Sequence, residues 1–372
     1  MSCDFTALAK SGIQTLKPYV PGKPEAELAR ELGISDIVKL ASNENPLGIS
    51  PKALEAIQAE QINLTRYPDG SHFLLQQKLA AHLDIKANQL VFGNGSNDVL
   101  DLIGHCFLTP DVSAVFSEHA FIVYPLMVKA QGAEAIVVPA KDYGHDLDAM
   151  ANAIKPNTRI IFVANPNNPT GTYHSIDAIE AFLSRVREDV LVVLDEAYIE
   201  YQPEAISKQS IELLARYSNL IITRTFSKAY GLAGLRVGYG IASESIIGVM
   251  QKARAPFNVN SLAQAAAIAV LDDADYLRRT IACNQQGMQQ LSDGLLALGF
   301  SIIPSKGNFI TFDTGTDAMS VYQALLHEGV ILRPVGVYGL PNHLRVTIGT
   351  DEENTRFLDA LKKVTKEKVV KD

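Results

Sequence analysis

The sequence predicts an α/β fold in which a large domain, with a mostly parallel central sheet flanked by helices, is joined to a smaller α+β domain. A chain of 372 residues exceeds one ordinary hydrophobic core, so two packed domains are expected. Short apolar runs alternate with helix-period stretches through the middle of the chain, and this rhythm is typical of a parallel sheet covered by helices on both faces. The runs lie at 112–116, 135–138, 160–164, 191–194 and 220–223.

Three segments are expected along the chain. Residues 1–40 are rich in Pro and Gly and fit poorly into the central sheet, so we assign them to the small domain or to a dimer contact. Residues 41–260 form the large domain. Residues 261–372 form the small domain, because an Ala-rich helical stretch and amphipathic segments lead there to the strand-like runs 309–312 and 344–348.

Charge and cysteine content exclude several classes of protein. The net charge is −8, with 33 basic and 41 acidic residues and no basic block, so nucleic acid and anionic membranes are poor partners. The cysteines Cys3, Cys106 and Cys283 are far apart, which predicts neither a disulfide framework nor a metal site. The first residues include an early acid and no apolar core segment, and no stretch approaches a membrane span. We therefore expect a cytoplasmic protein.

Lys228 follows the apolar run at 220–223 and has the surroundings of a lysine that forms a Schiff base. Such an amine must be partly desolvated and near cationic groups, so that its unprotonated form is available. The hydroxyl groups of Thr225 and Ser227 and the guanidinium of Arg236 are suited to a phosphate. Carbonyl chemistry beside a phosphate suggests pyridoxal phosphate. A lone Ser-Lys pair is more often a polar strand end, so this interpretation depends on the rest of the chain.

Two other apolar runs end in polar residues, and open α/β sheets bind ligands outside the carboxyl ends of their strands. The turn at 165–171 follows one run, and its Asn168 amide can donate to a ring oxygen. Asp195 follows the run 191–194, and a buried acid there needs a cation such as a protonated pyridine nitrogen. A helix cap or a structural salt bridge is an equal alternative for this acid. Tyr198 could reach the phenolic oxygen of the same ring.

Gly95, Ser96 and Asn97 precede an apolar-periodic helix and offer a second face of the phosphate site. Glycine at a helix start lets successive backbone N–H groups point at one anion. Phe121 could stack on the pyridine face. Taken alone, a glycine before a helix is most often a cap, and Phe121 is equally an ordinary core aromatic.

Taken together, these motifs resemble the aspartate-aminotransferase superfamily, the fold type I pyridoxal-phosphate enzymes. The motifs that carry this resemblance, in order, are 165–171, 195–198 and 227–236. Three further segments are similar to the histidinol-phosphate aminotransferases, which interconvert histidinol phosphate and imidazole acetol phosphate using glutamate and 2-oxoglutarate. These segments are 40–48, 66–70 and 330–334.

The resemblance implies a role for each matching residue. Lys228 forms an aldimine with the cofactor and acts as base and acid in turn between the substrate α-carbon and the cofactor. Asp195 pairs with the ring nitrogen, while Asn168 and Tyr198 contact the ring oxygen; Lys228, Asp195 and Tyr198 are the catalytic set. The phosphate contacts implied are Thr225, Ser227, Arg236, the amides of Gly95, Ser96 and Asn97, and the partner subunit's Tyr67. A homodimer is therefore expected, with the cofactor in segment 41–260.

The substrate contacts implied by the resemblance are Arg345 for the carboxylate, with Arg333, Tyr19 and Asn45 as further contacts. Histidinol phosphate carries a phosphate and glutamate two carboxylates, and arginine forks accept either anion. A surface ion pair is the alternative for each arginine. Phe121 departs from the family, in which a tyrosine commonly stacks on the ring.

Three alternatives remain open at this point. A broad aromatic aminotransferase needs only a pocket that admits a benzene or phenol ring in place of imidazole. A lyase such as threonine-phosphate decarboxylase shares the architecture and recognises a phosphorylated amine. A pyridoxal-sensing regulatory domain is disfavoured, because no DNA-binding module is evident before residue 40 or after residue 350.

Overall fold

A seven-stranded sheet lies at the centre of the large domain in the computed structural model, which describes residues 3–18 and 22–369, with side chains to residue 365. In chain order the strands are β1 (Val38–Lys39), β2 (Leu90–Gly93), β3 (Ser113–Ser117), β4 (Glu134–Val138), β5 (Thr158–Ala164), β6 (Leu191–Asp195), β7 (Leu220–Thr225), β8 (Gly238–Ala242), β9 (Ser301–Ile303), β10 (Phe309–Asp313), β11 (Val330–Ile331), β12 (Arg333–Pro334) and β13 (His343–Thr347).

The helices cover both faces of this sheet and build much of the small domain. In chain order they are α1 (Phe5–Leu8), α2 (Ser11–Gln14), α3 (Glu25–Leu32), α4 (Pro51–Glu60), α5 (Phe73–Leu83), α6 (Ser96–Phe107), α7 (Val123–Gln131), α8 (Leu147–Asn152), α9 (Ile176–Leu183), α10 (Glu204–Glu212), α11 (Glu244–Ala253), α12 (Ser261–Leu271), α13 (Ala274–Ala297), α14 (Ala318–His327) and α15 (Asp351–Val369). Single 3₁₀ turns lie at Gln61–Asn63, Ala87–Gln89, Ile199–Tyr201, Leu213–Ala215, Ala233–Leu235 and Gly336–Tyr338. Within the described part of the chain, every helix is too short or too polar to cross a bilayer.

The large sheet is mostly parallel, which confirms the predicted fold class. Its strand order is β2-β8-β7-β6-β5-β3-β4, and only β8 runs antiparallel to its neighbours. Each of the five predicted apolar runs lies, to within one residue, in one of the strands β3 to β7. Strand β4 lies on one side of β3, and the next strand, β5, lies on the other side. Such a reversal in strand order opens a crevice between β3 and β5 at the carboxyl ends of the strands.

Side-chain alternation along β6 explains why its end carries chemistry. Val192 and Leu194 pack in the core on one face of the sheet, whereas Val193 packs in the core on the other face. Burial of each such side chain stabilises the fold by about 1.5–3 kcal/mol. Because successive side chains point to opposite faces, Asp195 follows Val193 towards the face that also holds Tyr124.

The small domain combines the end of the chain with part of its beginning. Its sheet has the antiparallel order β12-β13-β10-β9, and β1 pairs with β11 in a separate two-stranded sheet. Leu28 and Leu40 pack in the same core as Phe312 and Phe357. These contacts support our proposal that the segment from α3 to β1 belongs to the small domain.

We propose that the connection between the domains lies later than the predicted boundary at residue 261. The apolar side chains of α12, among them Ala263 and Val270, belong to the large-domain core. Helix α13 begins in that core with Tyr276 and ends in the small-domain core with Leu291. We therefore propose α13 as the connection. An Ala-rich stretch predicts a helix but does not indicate which core the helix joins.

Gly238, the first residue of β8, packs closely against the start of α6. A Cβ atom at this position would come within 2.3 Å of the Ser96 backbone nitrogen. We expect Gly238→Ala to lower the free energy of unfolding by about 1–3 kcal/mol, since the start of α6 must move away. Gly248 in α11 is the matched control, with no neighbouring atom within 4 Å of its added Cβ. Gly248→Ala should raise stability by up to about 1 kcal/mol. Chemical denaturation measures both, and equal effects would contradict this packing.

Candidate active site

A cavity of about 400 Å³ lies between the two domains, at the carboxyl ends of the parallel strands. Ala164, Asp195 and Thr225, the last residues of β5, β6 and β7, line one side of it. Arg333 and Arg345, from β12 and β13, line the other. The cavity therefore exists only where the domains meet. Its size falls in the range that accommodates a small-molecule ligand.

One end of the cavity is built for an anion. Gly95, with φ 84°, turns the chain into α6, so that the backbone N–H groups of Ser96 and Asn97 lie in the first turn of that helix and line the cavity. Arg236 lies beside them, since a Cβ on Gly95 would be 2.6 Å from its Nη2 atom. The guanidinium is oriented by donation from Nη2 to the Asn94 carbonyl oxygen, at 3.3 Å.

Two hydroxyl groups complete this end of the cavity. Thr225 and Ser227 are both buried and both line it. The Ser227 backbone N–H donates to Thr225 Oγ1 at 3.1 Å, which fixes the turn after β7. The structure thus brings to one place every phosphate-site residue that was predicted to come from the cavity's own chain, whereas Tyr67 was predicted to act from the partner subunit. Their contacts with a bound phosphate remain a prediction.

Asp195 presents a buried carboxylate oxygen that no described residue satisfies. Its Oδ2 atom accepts a hydrogen bond of 2.8 Å from the Tyr124 hydroxyl, whereas Oδ1 has no hydrogen-bond partner. Burial raises the pKa of Asp195 above its usual value, and the hydrogen bond from Tyr124 opposes that rise, as do the Thr223 hydroxyl and the Ala197 backbone N–H to a smaller degree. A cationic N–H group in the cavity would satisfy Oδ1 and favour the charged carboxylate.

The adjacent acid shows what Asp195 lacks. Glu196 points to the opposite face of the sheet, where Arg224 lies 2.7 Å from its carboxylate and both side chains are almost fully buried. Among the described residues, Asp195 has no such ion pair. Because a buried carboxylate without a cation is costly, the partner of Asp195 is expected to be a ligand rather than a side chain.

Tyr198 is held in place by Asn43, which was not among the predicted site residues. Asn43 Nδ2 donates to the Tyr198 hydroxyl oxygen at 2.8 Å. Burial raises the pKa of Tyr198 to about 12, although the positive charge of Arg345 opposes the rise. The phenol therefore stays neutral and can donate its own proton. Asn43 itself has φ 54° and donates from its backbone N–H to Thr347 Oγ1. Its place in the motif 40–48 was the only feature of the sequence that could have indicated its role.

Lys228 has the altered basicity that imine chemistry requires. The pKa of its ammonium group is lowered to about 8. Burial is the largest cause, the positive charges of Arg345 and Arg236 contribute to the lowering, and the negative charge of Glu44 opposes it. Its Nζ atom donates to the Ser42 backbone carbonyl at 3.2 Å. A larger fraction of the amine is consequently neutral near pH 7 than in an ordinary lysine.

Two arginines enter the cavity from the small domain. Arg333 and Arg345 are directly opposite each other on the antiparallel strands β12 and β13, so their side chains share one face. Arg345 is buried, and its Nη2 atom donates to the Ala41 carbonyl at 2.9 Å. Its Nη1 atom donates to Asn168 Oδ1. Since the amide oxygen of Asn168 is occupied, its amide nitrogen remains as the donor.

Phe121, which is predicted to stack on the cofactor ring, lines the cavity, and its own ring meets Tyr124 edge to face at 5.8 Å between centroids. Tyr124 itself was missed, because a tyrosine inside the apolar helix α7 looks like an ordinary core residue. A buried tyrosine usually finds a partner for its hydroxyl, which is the one signal that would have indicated it.

Two of the predicted residues that the structure describes are not found in the cavity lining. Tyr67 is 83% exposed and stacks on Phe257 at 4.8 Å between ring centroids. Asn45 donates its side-chain N–H groups to the Ala229 carbonyl and to two hydroxyl groups, so its amide supports the loop beside Lys228 and does not line the cavity. Its placement gives no support to a substrate contact. Tyr19 lies outside the described residues.

Comparison with known proteins identifies the class to which this fold and site belong. Residues 35–361 match the family model of aminotransferase class I and II, so the chain belongs to this family. Histidinol-phosphate aminotransferase 2 of Pseudomonas aeruginosa is 61% identical over 363 residues, which cover 97% of this chain and 98% of that protein. At this identity and coverage the chain falls within the histidinol-phosphate aminotransferases, and the predicted family is confirmed.

Solved structures agree with this assignment. The chain is similar to histidinol-phosphate aminotransferase from Sinorhizobium meliloti in complex with pyridoxal-5'-phosphate, with a TM-score of 0.90, 31% identity, and coverage of 96% of this chain and 97% of that one. Aspartate aminotransferase from Thermus thermophilus has a TM-score of 0.80 at 21% identity, with coverage of 95% and 99%. The second likeness shows the shared fold alone.

The lowered pKa of Lys228 gives a pH-dependence prediction. In the cofactor-free full chain, acylation of Lys228 by a small reagent should rise with a midpoint near pH 8, because only the neutral amine reacts. Exposed Lys208 is the internal control, since its pKa is raised by Glu204. Arg345→Met should move the Lys228 midpoint upward by removing a nearby positive charge. Peptide-level mass spectrometry measures each lysine, and a Lys228 midpoint equal to that of Lys208 would contradict this electrostatic environment.

Proposed function

We propose that this chain is a pyridoxal-phosphate-dependent aminotransferase of histidine biosynthesis, which converts histidinol phosphate and 2-oxoglutarate into imidazole acetol phosphate and glutamate, and the reverse. The observation that carries the proposal is the pairing, in one cavity, of a lysine with a lowered pKa and a buried carboxylate that lacks a cation. The names of the close relatives support the substrate assignment.

The residues present fit pyridoxal phosphate at both of its ends. The phosphate would be held by the α6 N-terminus, the hydroxyls of Thr225 and Ser227, and Arg236. The ring nitrogen would satisfy the unpartnered Oδ1 atom of Asp195. When bound, the cofactor supplies an electron sink for the negative charge that develops at the substrate α-carbon.

The chain's own groups then hold and move protons. Lys228 Nζ is suited to take a proton from the substrate α-carbon and to return it, since a pKa of about 8 is close to working pH. The charge of Asp195 keeps a proton on the ring nitrogen. Tyr198, which stays neutral, and the amide nitrogen of Asn168 supply hydrogen-bond donors for the ring oxygen.

Substrate recognition rests on the arginines of the small domain. Arg345 and Arg333 face one side of the cavity, so a phosphate or a carboxylate can be bound there in successive half-reactions. The apolar ring of Phe121 in the lining favours a second candidate, a broader aromatic aminotransferase, because it offers no hydroxyl to a substrate phosphate.

We further propose that the chain acts as a homodimer and in the cytoplasm. The apolar side chains exposed near Tyr67 support a dimer surface, since Phe257 is 46% exposed, Ile62 84% and Leu64 54%. An exposed tyrosine that lies away from its own chain's cavity is suited to reach the cavity of a second copy. The cysteines Cys3, Cys106 and Cys283, none of them paired, suit a reducing compartment.

A substrate panel with 2-oxoglutarate as the constant amino acceptor tests the proposed reaction. We expect the kcat/KM for histidinol phosphate to exceed that for phenylalanine by about 100-fold or more, because a phosphate offers more acceptor oxygens than a single carboxylate to the two arginines that line the cavity. The Lys228→Ala variant is the control and should turn over neither substrate. Comparable values for both substrates would favour the broader aminotransferase, and no turnover of histidinol phosphate would contradict the proposal.

Mixing variants tests the role of Tyr67. Tyr67→Phe should weaken cofactor binding about tenfold or more, because a hydrogen bond to a charged phosphate is lost. Mixed with Lys228→Ala chains at limiting cofactor, it should recover activity, since each hybrid dimer contains one site with both residues intact. The matched control mixes Lys228→Ala with Asp195→Asn, two residues of one cavity, and should recover none. Recovery in the control alone, or in neither mixture, would contradict action across the dimer.

A further inference from the structure

Tyr124 is fixed more tightly than an ordinary core tyrosine. Its side chain is fully buried in α7 and stacks on Phe162 at 4.8 Å between centroids, with 15° between the ring planes. Phe121 meets it edge to face. The two aromatic neighbours leave the ring little freedom, so the position of its hydroxyl is set by the packing of the sheet.

That hydroxyl determines which oxygen of Asp195 is available. Oδ2 accepts its hydrogen bond, and Asp195 lines the cavity with Oδ1 unpartnered. Rotation of the carboxylate about its Cβ–Cγ bond would break the 2.8 Å hydrogen bond to Tyr124 inside the protein, where a lost hydrogen bond to a charged group is costly. The carboxylate is therefore held in one orientation before any ligand binds.

We propose that Tyr124 is the positioning residue for Asp195, and that its hydroxyl orients the carboxylate so that Oδ1 meets the nitrogen of the cofactor ring. This inference rests on the proposed function, because it assigns a role towards the cofactor. Tyr124 touches neither substrate nor reacting atoms in this arrangement and acts through Asp195 alone.

The electrostatics of the pair agree with this role. Burial, with the charge of Asp195 as a further cause, raises the pKa of Tyr124 well above its ordinary value. The phenol therefore remains a neutral donor throughout the range in which enzymes work. A neutral donor stabilises the ionised carboxylate without adding a positive charge that would compete with the ring nitrogen.

The test compares two ligands on the cofactor-free full chain: pyridoxal phosphate, and its analogue in which a C–H group replaces the ring nitrogen. Tyr124→Phe should weaken binding of pyridoxal phosphate about tenfold or more, because Asp195 loses its orientation. Binding of the analogue should change by less than about twofold, since it has no nitrogen for Asp195 to meet. Dissociation constants are measured by titration, and the thermal midpoint verifies that the variant, which keeps the ring, is folded.

Two further variants separate positioning from packing. Phe162→Leu removes the stacked neighbour and keeps the hydroxyl, so it should leave the preference for pyridoxal phosphate over the analogue close to that of the unaltered chain. In an Asp195→Asn background, Tyr124→Phe should no longer change that preference, because the charge it positions is gone.

Each other outcome overturns a defined part of the account. Equal weakening of both ligands by Tyr124→Phe would mean that the residue is only structural. No weakening of either ligand by Tyr124→Phe would overturn the inference and leave the proposed function intact. Binding of neither ligand by the unaltered chain would overturn the proposed function and the inference with it.

Discussion

A carboxylate buried at the end of a parallel strand, without a cation of its own, is the feature on which the site depends. Strand β6 is apolar on both faces and carries Asp195 into the interior, whereas its neighbour Glu196 faces away and has Arg224 as its partner. An unpaired buried charge is expensive, and folding leaves that cost to be offset by a ligand. The family assignment identifies a ligand whose ring nitrogen meets this need.

The two domains share the task of building the cavity around that acid. The large domain provides the strand ends and the α6 N-terminus, whereas the small domain provides the arginines. Arg345 links them, because it bonds to Ala41 and to Asn168 and its charge also lowers the pKa of Lys228. In the proposed function Arg345 also binds the substrate, so changes at Arg345 are expected to affect both substrate binding and the basicity of Lys228.

The sequence was most informative where one physical constraint dominates. Strands buried on both faces leave continuous apolar runs, so β3 to β7 and the polar residues that follow them were predictable. Strand β8 has glycine at its first and third positions, so it left no such run. Tyr124 bonds to Asp195, which is 71 positions away in the sequence, and Asn43 bonds to Tyr198, which is 155 positions away. No local sequence pattern encodes such contacts. The side to which α12 packs was likewise decided by tertiary contacts.

The central claim is that Lys228 and Asp195 together hold pyridoxal phosphate at the strand ends. The most direct measurement is borohydride reduction of the cofactor-loaded chain, followed by peptide mapping with mass spectrometry. The account predicts that the reduced cofactor is attached to the peptide containing Lys228, and that no other peptide carries it. Attachment at a different lysine, or no attachment in a chain saturated with the cofactor, would contradict it.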